Sequence, residues 1–368
     1  MKHFMCVIFC IFLLPCCFGI HAAAEDTPYS ELPPVEIPLP EAVQAEMDSA
    51  GIIPDAPETV LNYGPSQMLS SFWNSVKSEA AAPFFTLGGL LALTAVSALL
   101  SGTGNCAPEM QRTFSKISVL LIAASTAIPL VTSLARTAEA LDDGRVLMAG
   151  FVPVFSGFLA AGGSVSGAAA YQLIILFLTE FIIQLTTALL FPMLRAATAL
   201  GIADAISPSV CLGSIADGLR SAVSWILGTV MALFAALLSV RSFVASAADS
   251  VGSKTVKLLS SALIPIVGSA VSDTYSSVSG SIRLIGTGVG AAGILAVVFL
   301  ILPPVISVIL YRLIFRICRI TAEIVDSEML KKLFANSEQI LSGAFAMLVS
   351  YALMLIFSTA VMLMLCRG

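Results

Sequence analysis

Long apolar stretches separated by short polar segments dominate the chain from residue 84 onward. Uncharged runs of about 20 residues are long enough to cross a bilayer as helices. A helix also satisfies the backbone hydrogen bonds that lipid cannot. The pattern predicts six spans: Phe84–Leu100, Ile117–Leu134, Tyr171–Leu194, Ser221–Val240, Leu284–Leu310 and Ile340–Leu365. It indicates an all-α polytopic membrane protein, with its transmembrane domain over residues 84–366.

Two further apolar stretches, Ala149–Gly167 and Ser261–Gly280, are rich in glycine and serine and contain Pro153 and Pro265. Each either crosses the membrane or enters and leaves on one side, which is tolerated only where protein covers the backbone. The prediction is therefore six to eight spans. The distribution of Lys and Arg favours eight, with the N-terminal segment outside the cell.

The two Pro-containing stretches are similar in pattern, and we interpret them as parts of a tandem repeat over 117–220 and 221–338. The matching segments are Phe151–Gly157 with Leu263–Ser269, and Val165–Gly167 with Val278–Gly280. If the stretches do not cross the membrane, the copies are parallel. If they do cross, the copies are inverted, as in many transporters.

The first 65 residues are different in character. Residues 1–24 combine Lys2, an apolar core and a small-residue site at Ala22–Ala24, which is typical of a secretory signal peptide. Residues 25–65 are acidic and Pro-rich and predict an extended exported linker. They are unsuited to nucleic acid, because nothing in them could neutralise phosphates.

Residues 66–82 have the periodicity of an amphipathic helix. Its apolar face consists of Met68, Leu69, Phe72, Trp73 and Val76. We predict a helix that lies on the outer leaflet with its Trp at headgroup depth. The alternative is a docking helix for an extracytoplasmic partner.

Composition limits the chemistry that the chain can carry. Apolar residues make up 58% of the chain and charged residues 11%, and its two histidines, His3 and His21, fall in the predicted signal peptide. Histidine catalysis and most transition-metal sites are therefore excluded from the mature chain. Cysteines are absent from the exported segment, so no disulfide framework is indicated. We predict a non-enzymatic protein without a cofactor.

Glu180 is the main candidate for an intramembrane polar site, since eight uncharged and mostly apolar residues flank it on either side. A carboxylate at this depth is costly and is usually protonated, paired or exposed to a wet cavity. Gln184 lies one turn away. The site is either an ion or proton site, or a helix contact made through Gln184.

Small residues predict close helix packing. Gly288–Gly293 has the spelling of a dinucleotide-binding loop but opens an apolar span, so it fits helix packing better than nucleotide binding. The candidate packing residues are Pro153, Gly163, Gly167, Pro265, Gly280, Gly286 and Gly290. The two Pro-containing stretches are expected to meet near an internal symmetry axis.

The connectors carry charges that could pair between segments. Asp249 with Lys254, and Asp217 with Arg220, are the candidate ion pairs. A helical cluster of arginines directly after the fifth span is expected to mark the cytoplasmic face and to contact anionic lipid. Its members are Arg312, Arg316 and Arg319.

The segment Ser242–Lys257, continuing through Leu263–Gly268 to Ser279–Gly280, resembles the stage III sporulation protein AE family. The resemblance implies a subunit of a channel or secretion-like complex that links mother cell and forespore during sporulation. The family implies a location in the mother-cell membrane around the forespore. Implied partners are ring-forming proteins, a cytoplasmic ATPase and a YidC-type insertase. No catalytic residue is carried over.

A different class of function is also compatible with the sequence. A self-sufficient secondary transporter would use Glu180 as its coupling site and the tandem repeat as its two halves. Dependence on partner proteins separates this alternative from the channel subunit.

Overall fold

A computed structural model describes residues 39–49, 51–52, 65–102, 108–161, 165–206, 212–234, 236 and 268–367, and these residues form helices with no strand among them. The helices are α1 (Glu41–Ser49), α2 (Pro65–Gly102), α3 (Pro108–Ala161), α4 (Val165–Leu185), α5 (Phe191–Ile206), α6 (213–234), α7 (Gly268–Ile324) and α8 (Glu328–Arg367). The predicted all-α class is confirmed.

Five helical segments within the described residues are long and apolar enough to cross a membrane. They are Ser66–Leu99, Lys116–Gly157, Gln172–Ile206, Gly290–Ile324 and Glu328–Ala360. The predicted span Ser221–Val240 lies partly in α6 and partly outside the described residues. The same holds for Ser261–Gly280, whose described part belongs to α7, so the predicted total of six to eight spans stays a prediction.

Two prolines at or near the ends of predicted segments lie inside continuous helices. Pro83 is within α2, so the predicted interfacial helix 66–82 runs directly into the span that follows it. Pro153 is within α3, which joins the predicted span Ile117–Leu134 to the first part of the Pro-containing stretch. Proline removes one backbone hydrogen bond but is tolerated in membrane helices when neighbouring groups satisfy the freed carbonyl.

A π-helical turn, Thr186–Leu190, joins α4 to α5. The backbone N–H of Phe191 donates to the carbonyl of Thr186, one residue further back than in an α-helix. The next residue, Pro192, has no N–H and would clash with a normally placed carbonyl. The wider turn accommodates the proline and keeps 165–206 as one helical rod.

The described part of the predicted linker is folded rather than extended. Helix α1 packs on α7, and Val43, Met47 and Ile52 are each buried. These three residues are spaced i, i+4, i+9 and give the short segment one buried face. The sequence analysis did not identify this spacing, because acidic residues and prolines dominate the composition of the segment. Burial of these side chains offsets the entropy of ordering the segment.

The antiparallel pair α7–α8 forms the centre of the bundle. A tight turn at 325–327 joins the two helices, with Asp326 in the left-handed region at φ 56°. Phe315 and Phe334 stack across the pair with ring centroids 6.5 Å apart. Helices α2 and α3 pack on α7, α3 and α5 pack on α8, and α4 packs on α3.

The outer face of α2 is only partly covered by the rest of the chain. Met68 and Phe72 pack towards α7, whereas Leu69 and Trp73 of the same predicted apolar face are exposed. The Lys77 ammonium lies 5.9 Å from the centre of the Trp73 ring. One part of the predicted apolar face therefore packs against the helix bundle, and the other part is exposed.

Two glycines allow helices to approach closely. A Cβ on Gly293 of α7 would lie 3.1 Å from the Phe155 ring and 3.2 Å from the Phe151 ring of α3. A Cβ on Gly144 of α3 would overlap the ring of Tyr351 of α8. The side chains Phe151, Phe155 and Tyr351 are fully buried, so they have little room to move aside.

We expect Gly144→Ala to destabilise the protein by about 1–3 kcal/mol, because overpacking a filled core forces strained side chains. Thermal unfolding of the detergent-purified protein measures the effect. The matched control is Gly157→Ala in the same helix, where an added Cβ meets no atom within 4 Å. The double variant Gly144→Ala/Tyr351→Leu should recover stability. Equal melting temperatures for the two single variants would contradict the packing.

Candidate functional site

Glu180 lies on an outward-facing stripe of α4. Leu173, Phe177 and Phe181 are exposed on the same stripe, and the Phe177 and Phe181 rings stack with centroids 6.3 Å apart. The Glu180 side chain is itself 56% exposed. The carboxylate that interrupts the apolar span therefore lies at the surface of the chain and not in an enclosed centre.

Arg145 of α3 is the cationic neighbour of Glu180. Its Nη1 lies 4.0 Å from Glu180 Oε2, while its Nη2 lies 2.8 Å from Asp142 Oδ1 in the preceding turn. We call Asp142, Arg145 and Glu180 the charged triad. The side chains of all three are about half exposed or more.

Tyr351 of α8 lies directly behind the charged triad. Its ring packs against the backbone of α3 at Gly144, the position where any larger residue would collide with it. The side chain is 2% exposed, and its hydroxyl has no hydrogen-bond partner within the described residues.

The position of the triad has an energetic consequence. An exposed ion pair in water contributes little to stability, so these residues add little to the fold of the isolated chain. Within a membrane span, charged groups face protein or a water-filled cavity, because lipid solvates them poorly. If α3 and α4 cross the membrane at this level, the triad requires cover from another protein or contact with water.

Gln184 shares the exposed face of α4 with Glu180. Among the described contacts, Glu180 pairs with Arg145 and makes no hydrogen bond with Gln184. The helix-contact interpretation through Gln184 stays a prediction. The sequence analysis did not identify Arg145 as part of this site. Arg145 precedes Glu180 by 35 residues, and hydrophobic periodicity within one helix cannot show which residue of another helix it will contact.

A second polar cluster joins α5, α6 and α8. Arg220 donates through Nη2 to Asp217 Oδ1 at 2.8 Å, within one helix and not between segments. Arg220 also lies 3.3 Å from Asn336 Oδ1, and the Asn336 amide donates to the Gly201 carbonyl at 2.9 Å. Asn336, which the sequence did not single out, is therefore the residue that connects the three helices.

Burial explains how this cluster behaves electrostatically. The Arg220 side chain is only 10% exposed, and desolvation lowers its pKa while Asp217 acts in the opposite direction. A guanidinium nevertheless stays charged in proteins. The cluster thus holds a buried cation whose hydrogen-bond donors are satisfied by Asp217 and Asn336.

A side-chain hydrogen bond also joins the end of α5 to the start of α6. The Asp204 carboxylate accepts a hydrogen bond from the backbone N–H of Gly213 at 2.8 Å, where α6 begins. A Cβ on Gly213 would lie 2.9 Å from that carboxylate, so glycine leaves room for the cap. This contact ties the start of α6 to the end of α5.

The predicted packing residues fall into different situations. Gly290 is buried in α7. Pro153 is exposed on α3, while Phe151 and Phe155 beside it make the contact with α7. Gly167, Gly280 and Gly286 lie in helices, and their surroundings are not described. Gly163, Pro265, Asp249 and Lys254 lie outside the described residues.

Within the part of the chain that the structure describes, no group of three or more His, Cys, Asp or Glu side chains is placed to hold a metal ion.

These features define a polytopic, all-helical membrane protein with a charged surface on two of its apolar helices. The family model for stage III sporulation protein AE matches residues 53–366, and the chain belongs to that family. A similar protein is the stage III sporulation protein AE of Bacillus subtilis (strain 168), 23% identical over 262 residues. The match covers 70% of this chain and 65% of the relative. No solved structure matches.

We expect Asn336→Ala to destabilise the protein by about 1–3 kcal/mol, because it removes the side-chain hydrogen bonds that join Arg220 and the Gly201 carbonyl to α8. Thermal unfolding in detergent is the measurement. Asn74→Ala, at an exposed position of α2, is the matched control and should change stability little. A loss in the control as large as that in Asn336→Ala would count against the connecting role.

Proposed function

We propose that this protein is a non-enzymatic membrane subunit of a sporulation-specific channel or secretion-like complex that links mother cell and forespore. Membership of the stage III sporulation protein AE family implies a role in sporulation. The observation that supports the finer proposal is the charged triad on the outer face of α3 and α4. Such a face suits a subunit that is completed by neighbours.

The charged face extends beyond the triad along α3. Glu139 is exposed one turn before Asp142. On α4 the carboxylate is flanked by the exposed rings of Phe177 and Phe181. Aromatic side chains and arginine are both enriched at protein–protein interfaces relative to the rest of the surface.

The partners follow from the same proposal. Other subunits of the stage III sporulation complex would cover this face, with ring-forming proteins outside and a cytoplasmic ATPase supplying energy. A YidC-type insertase would assist insertion of the helices. The protein would lie in the mother-cell membrane around the forespore, with its N-terminal segment extracytoplasmic.

The alternative is a self-sufficient secondary transporter with Glu180 as its coupling site. Coupling sites of such transporters lie at the interface between two repeats near the middle of the bilayer. Glu180 is instead 56% exposed on the outside of the chain and beside Arg145. This placement favours a site that is completed by another molecule over one enclosed by the chain.

Deleting the gene in a spore-forming host should allow engulfment to finish but stop late gene expression in the forespore. The reason is that the proposed complex supplies the forespore only after engulfment. Forespore-specific reporter expression and counts of heat-resistant spores measure the effect. Normal spore yield from the deletion strain would refute the proposal.

Glu180→Gln and Arg145→Gln should each reduce spore yield and weaken co-purification of the other subunits, since both remove a charge from the proposed interface. Glu328→Gln, at an exposed position near the α7–α8 turn, is the matched control. In liposomes, the purified protein alone should move no solute. Solute flux driven by an ion gradient and lost in Glu180→Gln would establish the transporter instead.

A further inference from the structure

A polar cavity lies between α2, α3 and α7, apart from the charged triad. Its volume is about 310 Å³ and it is open on one side. The lining residues are Ala82, Thr86, Ile128, Pro129, Thr132, Ser133, Arg136 and Tyr311. A volume of this size falls at the lower end of the range for small-ligand pockets.

All three helices carry proline near the cavity. Pro83 of α2 is adjacent to Ala82 in the lining, Pro129 of α3 lines the cavity, and Pro303–Pro304 of α7 lie about two turns before Tyr311. Each proline leaves one backbone carbonyl of its helix without the usual N–H partner.

The polar lining favours an anion. Arg136 is the one charged residue among the lining residues. Its described contacts use only Nη1, which lies 2.7 Å from Glu79 Oε2 and 3.4 Å from Ser307 Oγ. A guanidinium has five N–H donors, so Nη2 and Nε are available to an anion that enters the cavity.

Ser133 provides an independent indication that something polar belongs in this cavity. The residue is 2% exposed, and its hydroxyl oxygen has no hydrogen-bond partner within the described residues. Leaving a buried hydroxyl unsatisfied costs about 1–3 kcal/mol. A ligand oxygen beside Arg136 would give the Ser133 hydroxyl a partner.

The location of the cavity indicates a lipid. Along α2 and α3 the cavity lies at a change from apolar to charged sequence, since the apolar runs Phe84–Leu100 and Ile117–Leu134 end beside Glu79 and Arg136. Next to the cavity, the apolar side chains Phe85, Ile128 and Val131 are exposed at 84%, 68% and 60%. They present exposed apolar area on α2 and α3 beside a pocket that contains an arginine.

We propose that this cavity binds the phosphate group of a membrane phospholipid, whose acyl chains lie along the exposed apolar surface of α2 and α3. Arg136 holds the phosphate through the guanidinium edge that Glu79 does not use. Ser133 and Tyr311 line the same pocket, and each carries a hydroxyl group that can act as a donor. The site is independent of the proposed role in the sporulation complex.

Native mass spectrometry of the detergent-purified full chain, titrated with phosphatidylglycerol, tests the proposal. Wild type should retain one lipid, and Arg136→Gln should weaken its binding about tenfold, the loss expected for a charge-assisted hydrogen bond. Arg195→Gln, an exposed arginine on α5, is the control and should bind as wild type does. Equal retention by both variants would overturn the proposal.

Glu79→Gln separates ligand binding from a structural role of the Arg136–Glu79 pair. Because Glu79 competes with the phosphate for Arg136, its neutralisation should leave lipid binding unchanged or tighter. A loss as large as that in Arg136→Gln would indicate that the pair only maintains the fold. Circular-dichroism melting of each variant confirms that a folded protein is compared.

Two ligands distinguish the source of the phosphate. Diacylglycerol with the same acyl chains should bind at least tenfold more weakly than phosphatidylglycerol, and inorganic phosphate should not displace the lipid. Equal binding of diacylglycerol would show that the site recognises acyl chains and not the phosphate, and would overturn the proposal. Displacement by inorganic phosphate at millimolar concentration would assign the pocket to a soluble anion and overturn the lipid proposal.

Discussion

The packing of α7 against α8 is the interaction on which the rest of the bundle depends. Helices α2 and α3 attach to α7, and α3 and α5 attach to α8, so three of the other helices share this pair as their common surface. The pair buries large aromatic side chains such as Phe315, Phe334 and Tyr351. In lipid, van der Waals packing is the main source of helix association, and the central pair makes the largest single helix–helix contact among the described residues.

Glycine decides how close the other helices come to this centre. At Gly144 and Gly293 the backbone of one helix lies against aromatic rings of another, which a side chain of any size would prevent. Gly144 lies between Asp142 and Arg145 on α3, and Gly293 of α7 packs further along α3 against Phe151 and Phe155. The same close approach that anchors α3 also fixes where Arg145 and its neighbouring acids emerge at the surface.

The polar groups of the bundle serve two different purposes. The cluster of Arg220, Asp217 and Asn336 is largely inside and well supplied with partners, so it connects helices. The charged triad and the Arg136 cavity are open to the outside of the chain. Charged groups that face lipid are energetically unfavourable. We therefore assign the charged triad and the Arg136 cavity to contacts with other molecules and not to stabilisation of the fold.

The sequence by itself determined the class of protein. Apolar run lengths and the scarcity of charge indicated an all-α membrane protein, and the order of motifs between Ser242 and Gly280 indicated the family. Glu180 was also recognisable, because a carboxylate among uncharged residues is a local signal. These properties follow from composition and from spacing within one helix, which a single chain displays directly.

Only the tertiary structure decided which distant residues meet. Periodicity shows which face of a helix is apolar but not which helix will cover it, so the pairing of Arg145 with Glu180 and the role of Asn336 could not be read from the chain. The outcome at proline was also a tertiary matter. Pro83 and Pro153 lie within continuous helices, although proline has the lowest helix propensity of all residues.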